Sequence, residues 1–159
     1  MEIEEPDPDQ PSAISTGNPV RQLAVFLENQ TGALLSIVQL LSDNNVLVLG
    51  LSVRDSIDAT VVRLIVSDPE TVEAIFMERG IAYSMTHILV VELANGAEQL
   101  PSTLRSIMNA ETNIHFVYPI LTRPNGKPAI ALCVEDNEFA RRVLTDEGYK
   151  VLMQEDLSR

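Results

Sequence analysis

The feature that most constrains the fold is a pattern that occurs twice. Sliding the sequence against itself by 66 residues lays LAVFLEN, which begins at Leu23, over LVVELAN, which begins at Leu89. The next segment keeps that register. Leu34, Ile37, Val38 and Leu41 fall on Leu100, Thr103, Leu104 and Ile107, the i, i+3, i+4, i+7 spacing of an amphipathic helix in each copy. Further along the shift becomes 68, with Asp68 over Asp136 and Gly80 over Gly148, so the second copy carries two extra residues. They fit the hairpin TRPNGKP, where Asn125-Gly126 is a tight-turn signal. A pattern that recurs in register marks one structural unit built twice.

Each unit reads strand, helix, strand, strand, helix, strand. In the first copy the strands are expected at 21–28, 46–54, 60–66 and 81–86, with helices at 32–44 and 69–79. In the second they are expected at 87–94, 113–123, 127–135 and 149–154, with helices at 98–109 and 137–147. Asp68 serves as an N-cap, Pro69 as a first helical residue and Gly80 as a C-terminal stop, and Asp136 and Gly148 repeat the two ends. The order predicts an α+β chain of two tandem ferredoxin-like βαββαβ domains, 20–86 and 87–159, each an antiparallel sheet with both helices on one face.

The other face of such a sheet is ordinarily polar, yet VLVLGLSV and LAVFL are apolar at both parities. An apolar face of several hundred square ångströms marks an interface. The reading places a second subunit there, making a homodimer, with the N-terminal segment as the alternative cover. That segment, 1–19, carries Glu2, Glu4, Glu5, Asp7 and Asp9 among Pro6, Pro8, Pro11 and Pro19, and reads as a disordered, solvated tail.

A net charge of −12 without basic clusters argues against nucleic acid and against an anionic membrane surface, because both require Lys and Arg to neutralise phosphate. No apolar run is long enough to cross a bilayer and no signal segment leads the chain, so a cytoplasmic protein is expected. The single cysteine, Cys133, sits in the apolar run AIALCVE and reads as a buried hydrophobe. His87 and His115 have no partners at ligand spacing, so no metal is expected. Gly126-Lys127 lacks the first glycine of a phosphate loop, since Leu121 stands there, and Pro128 follows in place of Ser or Thr. With no nucleophile motif and no cofactor fingerprint, the chain reads as a non-enzyme.

The segment ENQTGALLSIVQLLSDNNVLVLGLSV, its second copy LANGAEQLPSTLRSIMNAETNIHFVYPIL and the doubled element order resemble a tandem pair of ACT domains, over residues 20–157. The resemblance implies a regulatory module that binds an amino acid and reports its level to an enzyme. It also implies a ligand held between two copies side by side. One copy supplies the loop after its first strand, often N-x-P-G, and the other supplies the start of its second strand, often I-N-I. Here the first loop runs Asn29, Gln30, Thr31, Gly32, with Thr31 where proline is common. The second loop keeps Asn95 but has Glu98 in place of the glycine, and Gly96 comes two residues early. The second strands differ the other way: Val46-Leu47-Val48 lacks the asparagine, and Thr112-Asn113-Ile114 keeps it.

The losses are complementary. The resemblance therefore assigns one site per chain, formed by Asn29, Gln30, Thr31, Gly32, Ala33 and Leu34 with Asn113 and Ile114. The loop suits an α-carboxylate, because a helix N-terminus offers unpaired N–H groups and a partial positive charge, and glycine lets backbone approach. Asn29 and Asn113 each carry a carbonyl and an NH₂ for the ligand's polar groups. The alternative is an interaction module of the same fold that takes no ligand, its asparagines being turn residues.

Overall fold

A computed structural model of the chain describes residues 17–28 and 32–158. The expected tail, up to residue 16, and the loop residues Asn29, Gln30 and Thr31 lie outside the described residues.

The chain runs β1 (Val20–Leu27), α1 (Ala33–Asp43), β2 (Val48–Asp55), β3 (Thr60–Val66), α2 (Pro69–Arg79) and β4 (Tyr83–Glu92). After a 3-10 turn at Gly96–Gln99 come α3 (Leu100–Asn109), β5 (Ile114–Pro119), β6 (Ala129–Val134), α4 (Asn137–Asp146), β7 (Val151–Leu152) and α5 (Gln154–Leu157). The caps read from the repeat form as expected. Asp68 accepts the Thr71 N–H at 3.1 Å and Asp136 accepts the Phe139 N–H at 3.0 Å, while Gly80 and Gly148 sit at φ 63 and 89. The Asn125-Gly126 turn also forms, both residues having positive φ, with the Lys127 N–H donating to the Pro124 carbonyl at 3.2 Å.

Where two strands are expected at 81–86 and 87–94, one uninterrupted strand, β4, spans the junction. Its sequence YSMTHILVVE holds no Gly, Pro, Asn or Asp, so nothing in it breaks an extended backbone. The N-terminal half of β4 pairs with β1 (Val20↔Ile88, Val25↔Tyr83) and the C-terminal half with β6 (Leu89↔Leu132) and β7 (Val90↔Leu152). One strand thus serves as last of the first unit and first of the second.

The resulting strand order is β2-β3-β1-β4-β6-β5, all antiparallel, and its two ends meet. Gly50 bridges Ile120, and the Leu121 N–H donates to the Leu49 carbonyl at 2.7 Å. A Cβ at Gly50 would lie 3.2 Å from the Cδ1 atoms of both Ile120 and Ile65, so glycine permits this close approach of β2 and β5.

Three apolar clusters follow. The helices of the first unit pack on Leu23, Val25, Val62, Leu64 and Val66, with Ile37, Leu41 and Phe76 from α1 and α2. Those of the second pack on Leu89, Val91, Ile130, Leu132 and Val134. The third cluster joins the helix-free faces of both units: Val20, Leu49 and Ile65 from one, Tyr118, Ile120 and Ala131 from the other, with Ile88 and Val90 of β4. This accounts for strands that are apolar at both parities. The sequence reading puts a second subunit on the helix-free face; the other repeat of the same chain covers it instead, because the shared strand holds the two faces together at no entropic cost of association.

A buried polar contact lies within the shared core. Tyr118 donates its hydroxyl proton to Gln22 Oε1 at 2.7 Å, and burial holds its pKa far above the ordinary phenol value. The last expected strand shortens to Val151–Leu152, and the chain turns into α5, where Asp156 accepts the Met153 N–H at 2.8 Å. Gln154 then ties the units together: its Oε1 accepts the Arg21 N–H at 3.1 Å and its Nε2 donates to the Val66 carbonyl at 3.1 Å. The described end of the N-terminal segment lies against this turn, through Asn18 and Glu155.

Candidate functional site

The strand directions set the site's geometry. β1 and β2 are both antiparallel to β3, so they run the same way, and the bridge between Gly50 and Ile120 makes β5 antiparallel to β2. The end of β1, which leads into α1, and the start of β5, which follows Asn113, therefore lie at the same end of the curled sheet. Within one chain β3 and β2 stand between them. The one side-chain hydrogen bond between β1 and β5 among the described residues, from Tyr118 to Gln22, lies in the shared core and not at this end.

At the first loop, Gly32 adopts φ 85 and leads directly into α1, and no side chain caps the helix among the described residues. The Gly32 carbonyl accepts from the Ser36 N–H at 2.9 Å and from its hydroxyl at 3.0 Å. An added Cβ at Gly32 would meet nothing within 4 Å, so the glycine is required by the left-handed backbone and not by close contact. Ala33 and Leu34 are half-buried, and Leu34 packs on the first unit's core.

At the second loop the glycine stands two residues early and behaves differently. Gly96 takes φ 76 in a 3-10 turn, and the Asn95 N–H donates to Gln99 Oε1 at 3.1 Å. Thr103 and Ser102 hydroxyls both donate to the Gln99 carbonyl at 2.9 Å. Among the described residues no side chain caps the 3-10 turn or α3, and Glu98 projects exposed beside them.

Asn113 is exposed and donates through Nδ2 to Glu135 Oε2 at 3.2 Å, while its carbonyl accepts the Glu135 N–H at 3.0 Å. Together with Ile114, Leu104 and Met108 it lines an open groove of ≈ 550 Å³ at the end of α3. Leu47, in the place where the first unit lacks an asparagine, is 67% exposed. Cys133 is half-buried on the shared core and burial raises its pKa, so it is less enclosed than its apolar context suggests. Among the described residues no helix is long and apolar enough to cross a membrane, and no cluster of His, Cys, Asp and Glu stands ready to hold a metal.

The sequence reading missed the groove under α3 and the polar pair Gln22 and Tyr118. The groove lies within one short segment but depends on how α3 and β5 pack, and the pair comes from residues far apart in the chain, hinted at only by an isolated glutamine within an apolar strand.

Comparison with solved structures finds the same architecture elsewhere. A Bacteroides thetaiotaomicron protein matches with a TM-score of 0.81 at 22% identity, over 90% of this chain and 98% of that one. The regulatory subunit of aspartate kinase from Thermus thermophilus, in its ligand-free form, matches with a TM-score of 0.55 at 15% identity, over 80% of this chain and 91% of that one. The regulatory subunit of aspartate kinase from Thermus flavus matches with a TM-score of 0.50 at 18% identity, over 82% and 96%. No curated protein sequence matches. The family model for an ACT domain pair matches residues 18–159, which include both loops and all of the paired strands. With its two βαββαβ units and doubled loop pattern, the chain belongs to the ACT domain pair family.

Proposed function

We infer from membership in this family a ligand-sensing regulatory role. We propose that the ligand is an amino acid, bound at the first loop with its α-carboxylate over the N-terminus of α1. The observation that carries this reading is the contrast between the two loops at the corresponding position: α1 begins at the left-handed Gly32, with no side-chain cap among the described residues, whereas the second loop presents the exposed carboxylate of Glu98 there. Unpaired N–H groups at a helix N-terminus favour an anion. Asn29, Gln30, Thr31, Gly32, Ala33 and Leu34 form the loop side of the site, with Asn113 and Ile114 as the second side. The common position of both sides at one end of the sheet supports the assignment, and in a homodimer the partner's second strand would complete it where β2 and β3 intervene within one chain. The sensor acts on a partner enzyme, as the aspartate kinase regulatory subunits do by name, and itself carries out no reaction in the cytoplasm.

A thermal-shift screen with the twenty amino acids tests the proposal. An amino acid at 100 times its Kd should stabilise the fold by roughly 2.7 kcal/mol. Asn113→Ala should weaken binding of that amino acid by roughly 5–150-fold, through loss of about 1–3 kcal/mol, while Asn95→Ala should leave it unchanged. Equal losses from the two asparagines would overturn the site, and a screen with no shift would leave the interaction module as the better reading. Light scattering tests the homodimer: a monomer at tens of micromolar protein would remove it.

A further inference from the structure

The helix-free faces of the two units are closed together by apolar residues at one end only. At the other end the rows read from the strand register are polar and small. Arg63 of β3 faces Ser52 of β2 on one side and Ala24 of β1 on the other, and Ala24 in turn faces Ser84 of β4. Ser84 is exposed, and Arg63, Ser52 and Ala24 are half-buried. Phe26, one row further out, is 50% exposed, so this end of the space between the units is open to solvent.

The Arg63 guanidinium crosses that space and lies 4.1 Å from the ring centroid of Phe116, on the second unit. Phe116 in turn stacks on Tyr118, with ring centroids 6.2 Å apart. The positive charge is felt at the Tyr118 hydroxyl and at the Cys133 thiol. Although the chain carries 23 acidic residues, none forms an ion pair with Arg63 among the described residues. Among the described residues neither the guanidinium nor the hydroxyls of Ser52 and Ser84 makes a hydrogen bond to protein. A guanidinium held over an aromatic ring keeps its five N–H donors in one plane, and drawing them partly out of water is unfavourable unless an acceptor replaces the water.

We propose that Arg63, with Ser52 and Ser84 beside it, forms a binding site for a small carboxylate between the two repeats, separate from the first loop. The planar fork matches a carboxylate in two parallel N–H···O bonds. A monoanion is favoured over phosphate because one guanidinium offers one positive charge and the chain's net charge of −12 repels a dianion. Across Ala24, Ser84 lies two strands from Arg63, roughly 10 Å, which spans a molecule of a few carbons. Because Arg63 belongs to the first unit and Phe116 to the second, an occupant would bear on how the two units sit against each other.

The test is an NMR titration of the full ¹⁵N-labelled chain with sodium acetate, against sodium chloride at equal ionic strength. The Arg63 Nε–H and the amides of Ser52 and Ser84 should shift and saturate with acetate, with inorganic phosphate binding more weakly and chloride giving no saturable change. Arg63→Met, which keeps an unbranched chain over Phe116, should lower acetate affinity by roughly tenfold to a hundredfold. Ser84→Val, which fills the space without touching the guanidinium, should act in the same direction and guards against a folding defect in the first variant. The double change of Asn29 and Asn113 to Ala should leave the acetate response intact, separating this site from the loop site. Shifts that never saturate, or that persist unchanged in Arg63→Met with a native amide spectrum, would overturn the proposal.

Discussion

The two helix-entry loops share one pattern and reach different end states. At the first, Gly32 leads straight into an α-helix; at the second, Gly96 enters a 3-10 turn in which Gln99 satisfies the Asn95 N–H, and among the described residues no side chain caps the helix at either. Both glycines take positive φ, 85 and 76, so the backbone demand is common to the two. What differs is where the polar groups go. The helix caps at Asp68 and Asp136 show the opposite behaviour, with the same residue, the same acceptor geometry and the same stop at Gly80 and Gly148. Features that close a helix locally are kept in both copies, while the helix-entry loops diverge, with Gly32 in one where the exposed Glu98 stands in the other.

That contrast is broken most sharply at the glycines. Gly32→Glu should strain the left-handed backbone by ~1–2 kcal/mol and reduce amino-acid affinity by at least about 100-fold, since it sets a carboxylate against the ligand's own. Gly96→Glu should carry the same strain and leave affinity unchanged, and calorimetric titration of the two variants side by side measures the difference. A smaller effect tests whether the repeats are independent. Tyr118→Phe strands Gln22 Oε1 across the shared core and should lower stability by about 1–3 kcal/mol in urea, within one cooperative transition. Two separate transitions would show that the units unfold on their own.

The caps should give matched and lesser losses, about 1 kcal/mol each for Asp68→Ala and Asp136→Ala. For Asp68 a pH dependence accompanies the change. Hydrogen bonds from the Thr71 hydroxyl and N–H hold its pKa below the ordinary 3.8, so its contribution is present above that value and is lost as pH falls through the lowered one. Denaturation curves of Asp68→Ala and the native chain should therefore converge under acid. Least of all should follow from deleting residues 1–16, a segment whose composition is rich in acids and prolines: a change below ~1 kcal/mol by thermal melt, with solubility retained.

Much of this architecture was legible because its causes are local. Asp68-Pro69 and Gly80 mark a helix in any setting, as Asn125-Gly126 marks a turn, and the periodicities of 3.6 and 2 identify which strands and helices carry apolar faces. The loop residues of the candidate site were legible for the same reason, as a motif in one short segment. Which partner each apolar face would choose was not. The strand β4 looked like two because the repeat imposed a boundary on it, while the run from Tyr83 to Glu92 contains no residue that ends a strand.

The sequence by itself determined the two βαββαβ units, their helix ends and the apolar faces of their strands, since each depends on residues within a few positions of one another. Only the tertiary structure decided that the helix-free faces close on each other, that Gly50 meets Ile120 and that Arg63 comes to rest on Phe116. Hydrophobic burial is proportional to area and indifferent to the identity of the surface that supplies it. An apolar face therefore announces that it will be covered, and the three-dimensional path of the chain selects the cover.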